Sequence, residues 1–245
     1  MKKTITFGAL LLMAGSLLAA DSSKSDVSAA AQKLADSNYS WKSTQDMGAN
    51  SQFTPGPTEG KTDKTYTWMS SSFGDNASIG LIKGTNCAIK TEEGWKSAAD
   101  LGDAAGGFDP NTFMLRRLQG LKAPAAELEE IIAKTDDLKK DGDMVTGTMS
   151  EEGAKAMLNT GMGRRGGGPG GPGGPGGARP EPTDAKCTVK IWLKDGAIAK
   201  YETKVTGKMS FNGEARDIER TTTVEIKDVG KTTIEVPDDA KKKLS

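Results

Sequence analysis

Apolar and polar residues alternate along the last third of the chain, and a period of two residues is typical of β-strands. The clearest alternation is in CTVKIWLK, whose apolar positions are Cys187, Val189, Ile191 and Leu193. The Asp195-Gly196 dipeptide that follows favours a two-residue hairpin turn. Similar runs continue as far as TTIEV, which ends at Pro237. The pattern therefore predicts a meander of antiparallel strands that closes at this proline.

Shorter runs of β-branched and aromatic residues lie between residues 39 and 90, where turn-forming segments separate them. They are YSW, KTYTWMSS, ASIGLIK and NCAIK. Tyr66 and Trp68 are two residues apart, as are Ile79 and Leu81, so the members of each pair share one face of their strand. This spacing predicts further antiparallel strands with one apolar face.

Helical spacing replaces this alternation in the middle of the chain. Asp109 is a good N-cap residue, and Pro110 suits the first position of a helix. A second helix is predicted from Pro124, and a third is predicted to begin at Ser150. Each of the three segments has apolar residues on one side, so each helix is expected to pack against a sheet or another helix.

The segment GMGRRGGGPGGPGGPGGARPEP, at residues 161–182, interrupts the predicted strands and helices. Its regular glycine period covers only a few triplets, which is too short for a collagen triple helix. A hinge between two domains is also disfavoured, because the strands after it have an apolar face and no helix of their own to cover it. We therefore expect a disordered insertion within one domain that spans residues 38–245.

Pairing the strands on the two sides of this insertion gives the simplest fold. The strands of residues 38–97 and those after residue 185 would form one curved antiparallel sheet. The helices between residues 109 and 160 would then cover its concave face. The predicted fold class is α+β.

The first twenty residues, MKKTITFGALLLMAGSLLAA, have the basic start, short apolar run and small residues of a secretory signal peptide. The apolar run is too short to span a bilayer, and no integral membrane segment is expected after cleavage. Position 21 is Asp rather than the Cys of a bacterial lipobox, so a soluble periplasmic or secreted product is expected. Residues 21–37 are small and polar and predict a tail or a loosely docked helix.

Charge and composition argue against several classes of protein. The chain has 33 basic and 33 acidic residues. Loss of the signal peptide leaves a net charge of about −2, which does not suggest a nucleic-acid partner. Histidine is absent, which removes the commonest general base and the commonest zinc ligand. The sequence predicts no catalytic residue, no cofactor, no metal and a protein that is not an enzyme.

Cys87 and Cys187 are the two cysteines of the chain. Both are expected on apolar strand faces, which argues against a reactive thiolate. Export to an oxidising compartment would allow a disulfide between them, closing a loop of about 100 residues and stabilising the fold by roughly 4 kcal/mol. Two buried free thiols are the alternative, and the sequence leaves both open.

The candidate site residues are the apolar positions predicted on the concave face of the sheet and on the helices above it. The sheet positions are Trp68, Ile79, Leu81, Ile89, Val189, Ile191 and Val224. The helix positions are Phe113, Met114, Leu118, Leu128 and Ile132. Such residues form either a filled core or the lining of a hydrophobic cavity, and both alternatives stay open at this point.

Three stretches stand out among the predicted strands. They are GLIKGTNCAIKTEEGWKSA, with a Gly-Trp turn at its end, CTVKIWLKDGAIAKYETKV, with an Asp-Gly hairpin, and TTTVEIKDVGKTTIEVP, which ends at a proline. They resemble a strand pair, the paired late strands and the closing strands of the LolA/LppX type of exported lipoprotein and lipid carriers. The resemblance implies a bent antiparallel half-barrel capped by helices, whose concave face binds acyl chains. The ligand would then contact the apolar positions named above. The chain departs from the type in lacking a lipobox and in carrying the glycine tract.

Two functions remain for an exported protein of this kind. The first is binding or carrying a hydrophobic ligand, such as an acyl chain or a lipidated peptide, between the sheet and the helices. The alternative is a non-enzymatic envelope interaction or structural module with a filled core, whose sheet edge or Gly/Arg-rich loop contacts a protein partner. Lipid that co-purifies with the protein would distinguish the first from the second.

Overall fold

The computed structural model describes residues 15–49, 51, 54–73, 76–101, 109–161, 181–211 and 214–245. The helices in this part of the chain are α1 (Gly15–Ala35), α2 (Ala98–Leu101), α3 (Pro110–Gln119), α4 (Pro124–Ala133), α5 (Glu151–Gly161) and α6 (Asp238–Lys243). The strands are β1 (Tyr39–Asp46), β2 (Thr58–Thr62), β3 (Thr67–Phe73), β4 (Asn76–Lys83), β5 (Asn86–Thr91), β6 (Gly94–Ser97), β7 (Thr135–Asp141), β8 (Met144–Met149), β9 (Thr183–Lys194), β10 (Ala197–Phe211) and β11 (Glu214–Lys227).

All of these strands belong to one antiparallel sheet of eleven strands, in the order β6-β5-β4-β3-β2-β1-β11-β10-β9-β8-β7. The pairing of β1 with β11 joins the strands before the predicted insertion to those after it, and Trp41 lies opposite Ile226 in this pair. The sheet is open, with β6 and β7 as its edges. The predicted α+β fold, with a curved antiparallel sheet covered on its concave face by helices, is confirmed.

The register determines which side chains share a face, because directly opposed residues of an antiparallel pair point to the same side of the sheet. One row across the strands consists of Ile226, Trp41, Gly60, Met69, Gly80 and Ile89. A second row consists of Val224, Tyr201, Ile191 and Val145. Both rows lie on the concave face, which α1, α3, α4 and α5 cover. The outer face carries cross-strand ion pairs such as Lys190 with Glu202.

The helix starts predicted in the middle of the chain are confirmed. Asp109 caps α3 by accepting hydrogen bonds from two backbone N–H groups, and Pro110 is the first residue of that helix. Helix α4 begins at Pro124. The Ser150 hydroxyl accepts a hydrogen bond from the Gly153 N–H group at 3.2 Å, which caps the start of α5.

Helix α1 packs into the core, whereas the sequence predicts a tail or a loosely docked helix for residues 21–37. Its buried face consists of Val27, Ala30, Ala31 and Leu34. Alanine side chains are short, so this face can approach α4 and β7 closely, and alanine contributes little to the apolar pattern of the sequence. Of the predicted signal peptide, the structure describes residues 15–20, which form the start of α1. The predicted Gly/Pro-rich insertion lies outside the described residues except at its two ends.

The TTIEV segment does not form the closing strand that the sequence predicts. After β11, Asp228 and Gly230 have φ angles of 52° and 78°, and these left-handed conformations turn the chain away from the sheet. Residues 232–237 then run without strand pairing, and Ile234 and Val236 pack on the outer face beside α6. The apolar residues of this segment therefore cover the outer face of the sheet instead of extending the sheet.

Candidate functional site

The concave face carries two separate clusters of buried hydrophobic residues. The main core contains twenty-five of the described residues, from α1, α4, α5, β1 and β7–β11. The second cluster, called here the α3 cluster, contains five: Met69, Cys87, Ile89, Leu115 and Leu118. Leu121, between α3 and α4, packs against both clusters. Helix α3 is thus attached to the sheet by a small group of buried residues that is distinct from the main core.

The structure places eight of the twelve predicted site residues in or against these two clusters. Ile89, Met114 and Leu118 lie in or against the α3 cluster. The main core holds Leu128, Ile132, Val189, Ile191 and Val224. Phe113 is 47% exposed, so the prediction that it faces the sheet is wrong. The helical period places it on the side of α3 that is turned away from Leu115 and Leu118.

Trp68, Ile79 and Leu81 lie on the outer face of the sheet, so the prediction that they share the concave face is also wrong. Trp68 is directly opposite Leu81 and is one position from the concave residue Met69. Leu81 packs with Leu244 at the C-terminus, and the other two side chains lie against this outer cluster. Because segments of the chain cover both faces of β3–β5, apolar residues occupy both sets of alternating positions. The alternation alone does not show which set faces inward.

Met69 and Leu115 are central to the α3 cluster, although neither is among the predicted site residues. Met69 is fully buried and Leu115 is 3% exposed. Leu115 lies one helical turn before Leu118, so the spacing of three residues was the signal available for it. No alternation pointed to Met69, because Trp68 and Met69 are adjacent apolar residues of β3 and face opposite sides of the sheet.

Gly80 allows α3 to approach β4 closely. A Cβ atom at position 80 would lie 2.4 Å from Cδ1 of Leu118, far inside van der Waals contact. The Leu118 side chain therefore occupies the space that any other residue at position 80 would need. This contact holds α3 directly against the backbone of the concave face.

An open groove with a volume of about 310 Å³ lies between α2 and α3. Its lining residues are Ala98, Ala99, Leu101, Thr112, Leu115, Arg116 and Gln119. The lining combines four apolar residues with three polar ones, Thr112, Arg116 and Gln119. Because Leu115 belongs both to the groove and to the α3 cluster, the groove borders that cluster.

A second open groove, with a volume of about 350 Å³, lies beside α1. It is lined by Asp26, Ala29, Ala30, Lys33, Lys140, Leu193 and Gly196. The Lys140 Nζ atom lies 3.1 Å from Oδ2 of Asp26, so an ion pair connects α1 to β7 at this groove. The main core lies directly beneath, since Ala30 and Leu193 belong to it.

The main core also contacts a hydrogen-bonded carboxyl group. The hydroxyl of Tyr201, a residue that is 1% exposed, donates to Oε2 of Glu127 at 2.6 Å. The backbone N–H of Ala125 donates to the Tyr39 hydroxyl at 3.2 Å. Burial raises the pKa of Glu127 above its usual range, although the Tyr201 hydrogen bond and the positive charge of Arg220 oppose this. The charged form of Glu127 is therefore disfavoured in the folded protein.

We expect Glu127→Gln to weaken the pH dependence of stability. Because the folded-state pKa of Glu127 is raised, its contribution to stability is present below the unfolded-state value of 4.5 and is lost as the pH rises through the folded-state pKa. Glutamine keeps an oxygen that can accept the Tyr201 hydrogen bond but carries no charge. Denaturant unfolding from about pH 4 to about pH 8 should show the wild type losing stability relative to the variant. The exposed neighbour Glu129→Gln is the control and should follow the pH profile of the wild type. Parallel profiles for the wild type and Glu127→Gln would contradict this expectation.

Both cysteines are free thiols, and the disulfide between Cys87 and Cys187 that the sequence left open is absent. Cys87 lies in the α3 cluster, where its Sγ atom is 3.8 Å from the carbonyl oxygen of Leu115, and Cys187 lies in the main core. Burial raises the pKa of Cys87, and it raises the pKa of Cys187 to about 11. Both thiols should therefore react slowly while the helices stay in place.

Arg117 reaches the concave face on the flank of α3 opposite the groove. Its Nη1 atom donates to Oγ of Ser71 at 3.1 Å, and its Nη2 atom donates to Oγ1 of Thr58 at 3.4 Å. Ser71 and Thr58 are buried and directly opposed in the β2–β3 pair. Partial burial lowers the pKa of Arg117, and no carboxylate among the described residues forms an ion pair with it.

The concave face thus combines apolar side chains with hydroxyl groups and two guanidinium groups, those of Arg117 and Arg220. In the described part of the chain, no cluster of three or more Cys, Asp or Glu side chains is placed to hold a metal ion. None of the helices described has the length and apolar character needed to cross a membrane.

Comparisons with known proteins give structural matches but no sequence match. No family model and no curated protein sequence matches the chain. It is similar to the structure of the lipoprotein LppX from Mycobacterium tuberculosis, at 10% identity and a TM-score of 0.46 over 89% of this chain and 99% of that one. It is similar to the structure of LprF from Mycobacterium bovis, at 10% identity and a TM-score of 0.42 over 90% of this chain and 98% of that one. It is also similar to the structure of a DUF1329 family protein from Desulfovibrio piger, at 9% identity and a TM-score of 0.29 over 90% of this chain and 95% of that one. These likenesses are of fold alone, and the first is to a structure of LppX, the type that the sequence resembles.

Proposed function

We propose that the protein binds and carries a hydrophobic ligand, such as an acyl chain or a lipidated peptide, between α3 and the concave face of the sheet. The observation that carries this proposal is the separate attachment of α3. Its buried contacts form a cluster of five residues, apart from the twenty-five of the main core. An open groove borders the same helix on one flank.

Ligand contacts would have to replace the contacts that α3 makes with the sheet. Full burial of a large aliphatic side chain contributes about 1.5–3 kcal/mol, so lifting α3 off the five residues of its cluster would cost on the order of 10 kcal/mol if nothing replaced them. An acyl chain placed on Met69 and Ile89 would restore apolar contact with the sheet. The main core would meanwhile keep the remaining helices and strands together. A small, separable cluster beside a large one therefore suits reversible binding.

Export is part of the same proposal. The signal-peptide pattern of residues 1–20 would direct the chain to the periplasm or out of the cell. In either aqueous compartment an acyl chain requires shelter from water, which the space beneath α3 would provide. We expect the leader to be absent from the mature protein, as N-terminal sequencing of the exported form would show.

The two cysteines allow a binding test with an internal control. We expect a fluorescent fatty acid to bind saturably to the full chain and to change the rate at which Cys87 is alkylated. Cys87 lies beneath α3 and Cys187 lies in the main core, so the rate at Cys187 should stay the same. The single-thiol variants Cys187→Ala and Cys87→Ala report the two positions separately. The proposal fails if no saturable binding occurs and native mass spectra of protein from its own host show no lipid.

The alternative is a non-enzymatic envelope module with a filled core. The observation that favours it is the dense main core, in which Leu128, Val189 and Ile191 are fully buried. In that case, deleting residues 163–180 should abolish capture of a protein partner and leave the thermal midpoint nearly unchanged. Equal capture by the deletion variant and the full chain would argue against this alternative.

A further inference from the structure

We propose that Arg117, Ser71 and Thr58 form a binding site for the anionic group of an amphiphilic ligand, a carboxylate or a phosphate. The inference rests on the proposed function, because it names the chemical class of the ligand that would lie beneath α3. The apolar part of that ligand would contact the α3 cluster. The anionic group would lie at the flank of α3 opposite the groove.

The strand register assembles the hydroxyl groups of this site. Ser43, Thr58, Ser71 and Ser78 are directly opposed in successive pairs, so they form one row on the concave face of β1–β4. Hydroxyl groups rotate to donate or accept, and can therefore donate to an anion beside the arginine. The planar guanidinium group matches the geometry of carboxylate and phosphate oxygens, which it can bind through two parallel hydrogen bonds.

The guanidinium group of Arg117 forms no ion pair with a carboxylate among the described residues. Arg220 forms none there either, but its Nη2 atom donates to the Met157 carbonyl oxygen at 2.6 Å. Arg117 instead donates to two neutral hydroxyls. Hydrogen bonds between two charged groups are stronger than those to neutral hydroxyls, so a ligand carboxylate or phosphate would bind this guanidinium group more tightly than the hydroxyls alone do.

The site also lies at a suitable distance from the apolar cluster. Ser71 is two residues from Met69 on the same strand face, which corresponds to about 7 Å along the strand. Leu118 follows Arg117 on α3 and belongs to the α3 cluster. The groove lined by Leu115 opens on the other flank of the helix, about 10 Å away. An acyl chain could therefore run from Arg117 beneath α3 to the groove.

The test compares a fatty acid with its methyl ester of the same chain length. We expect the full chain to bind the acid about tenfold more tightly than the ester, as a charge-assisted hydrogen-bonded pair provides. In Arg117→Gln the acid should bind only as tightly as the ester, and the affinity for the ester should stay near that of the wild type. Lys61→Gln removes one positive charge from the outer face of β2 and should keep the tenfold preference.

A second variant and a second probe keep the inference open to refutation. Arg117→Lys retains the charge without the two-pronged geometry, so its preference for the acid should lie between those of the wild type and Arg117→Gln. Equal wild-type affinities for acid and ester, or a preference that survives in Arg117→Gln, would overturn the site and leave the proposed function standing. Displacement of the bound acid by inorganic phosphate would show that the same site accepts a free anion.

Failure to bind either the acid or the ester would instead refute the proposed function. Inorganic phosphate then tests the anion site alone, through the thermal midpoint of the full chain. A rise with phosphate that is lost in Arg117→Gln would support a site for free anions. No rise in the wild type would overturn the inference.

Discussion

Leu128→Ala should lower the free energy of unfolding by about 2–5 kcal/mol, the range observed for large-to-small substitutions in tightly packed cores. Leu128 is fully buried on the inner side of α4 and belongs to the main core. Removing its branched end would leave a cavity that the sheet below and α1 beside it can fill only in part. Equilibrium denaturation followed by tryptophan fluorescence measures this loss, since the chain has 4 tryptophans.

The exposed neighbour Glu129 provides the matched control on the same helix. Glu129→Ala keeps the helical preference of α4 and should change the unfolding free energy by at most about 0.5 kcal/mol, as surface substitutions usually do. Similar losses in the two variants would mean that α4 does not seal the main core. We also expect Leu128→Ala to retain fatty-acid binding at temperatures where it is folded, because Leu128 is not part of the α3 cluster.

Gly60→Ala is expected to destabilise the protein by about 1–3 kcal/mol through overpacking. A Cβ atom at position 60 would lie 2.2 Å from both Cε2 and Cζ2 of Trp41. The indole ring cannot move aside freely, because its Nε1 atom donates to Oγ1 of the buried Thr62 at 3.2 Å. The added methyl group must therefore break this hydrogen bond or displace strand β2 from β1.

A double-mutant cycle with Trp41→Leu tests this explanation directly. Leucine removes the ring that the alanine methyl group would meet, so the loss in the double variant should be smaller than the sum of the two single losses. Glu59→Ala, on the outer face of the same strand, serves as the control and should add independently to Trp41→Leu. Additive losses for the Gly60 and Trp41 pair would show that Gly60→Ala acts by another route.

Short stretches of sequence were sufficient to predict the turns, helix caps and strand faces, because these depend on neighbouring residues. The alternation in β9 predicted its buried face, and Asp195-Gly196 forms the expected turn with φ angles of 53° and 71°. The cap at Asp109 and the helix start at Pro124 were equally local. In each case the interacting groups are within a few residues, so side-chain type and spacing determine the conformation.

Pairing across the predicted insertion was also accessible from the sequence, although it joins distant segments. The late strands have an apolar face and too few helical residues to cover it, so they had to share a sheet and helices with the earlier part. The β1–β11 pair meets this requirement. The balance of apolar surface requires this pairing, and composition and pattern alone reveal that balance.

The sequence by itself thus determined the fold class, most of the strands and helices, and part of the two clusters. Only the tertiary structure decided that Trp68 and Leu81 face outward while Met69 faces α3, because both faces of β3–β5 are covered and only the register between strands distinguishes them. It also brought Arg117 to Ser71 and Thr58, about 50 residues away along the chain. Such contacts depend on how complete elements pack against one another, and no short stretch of sequence contains that information.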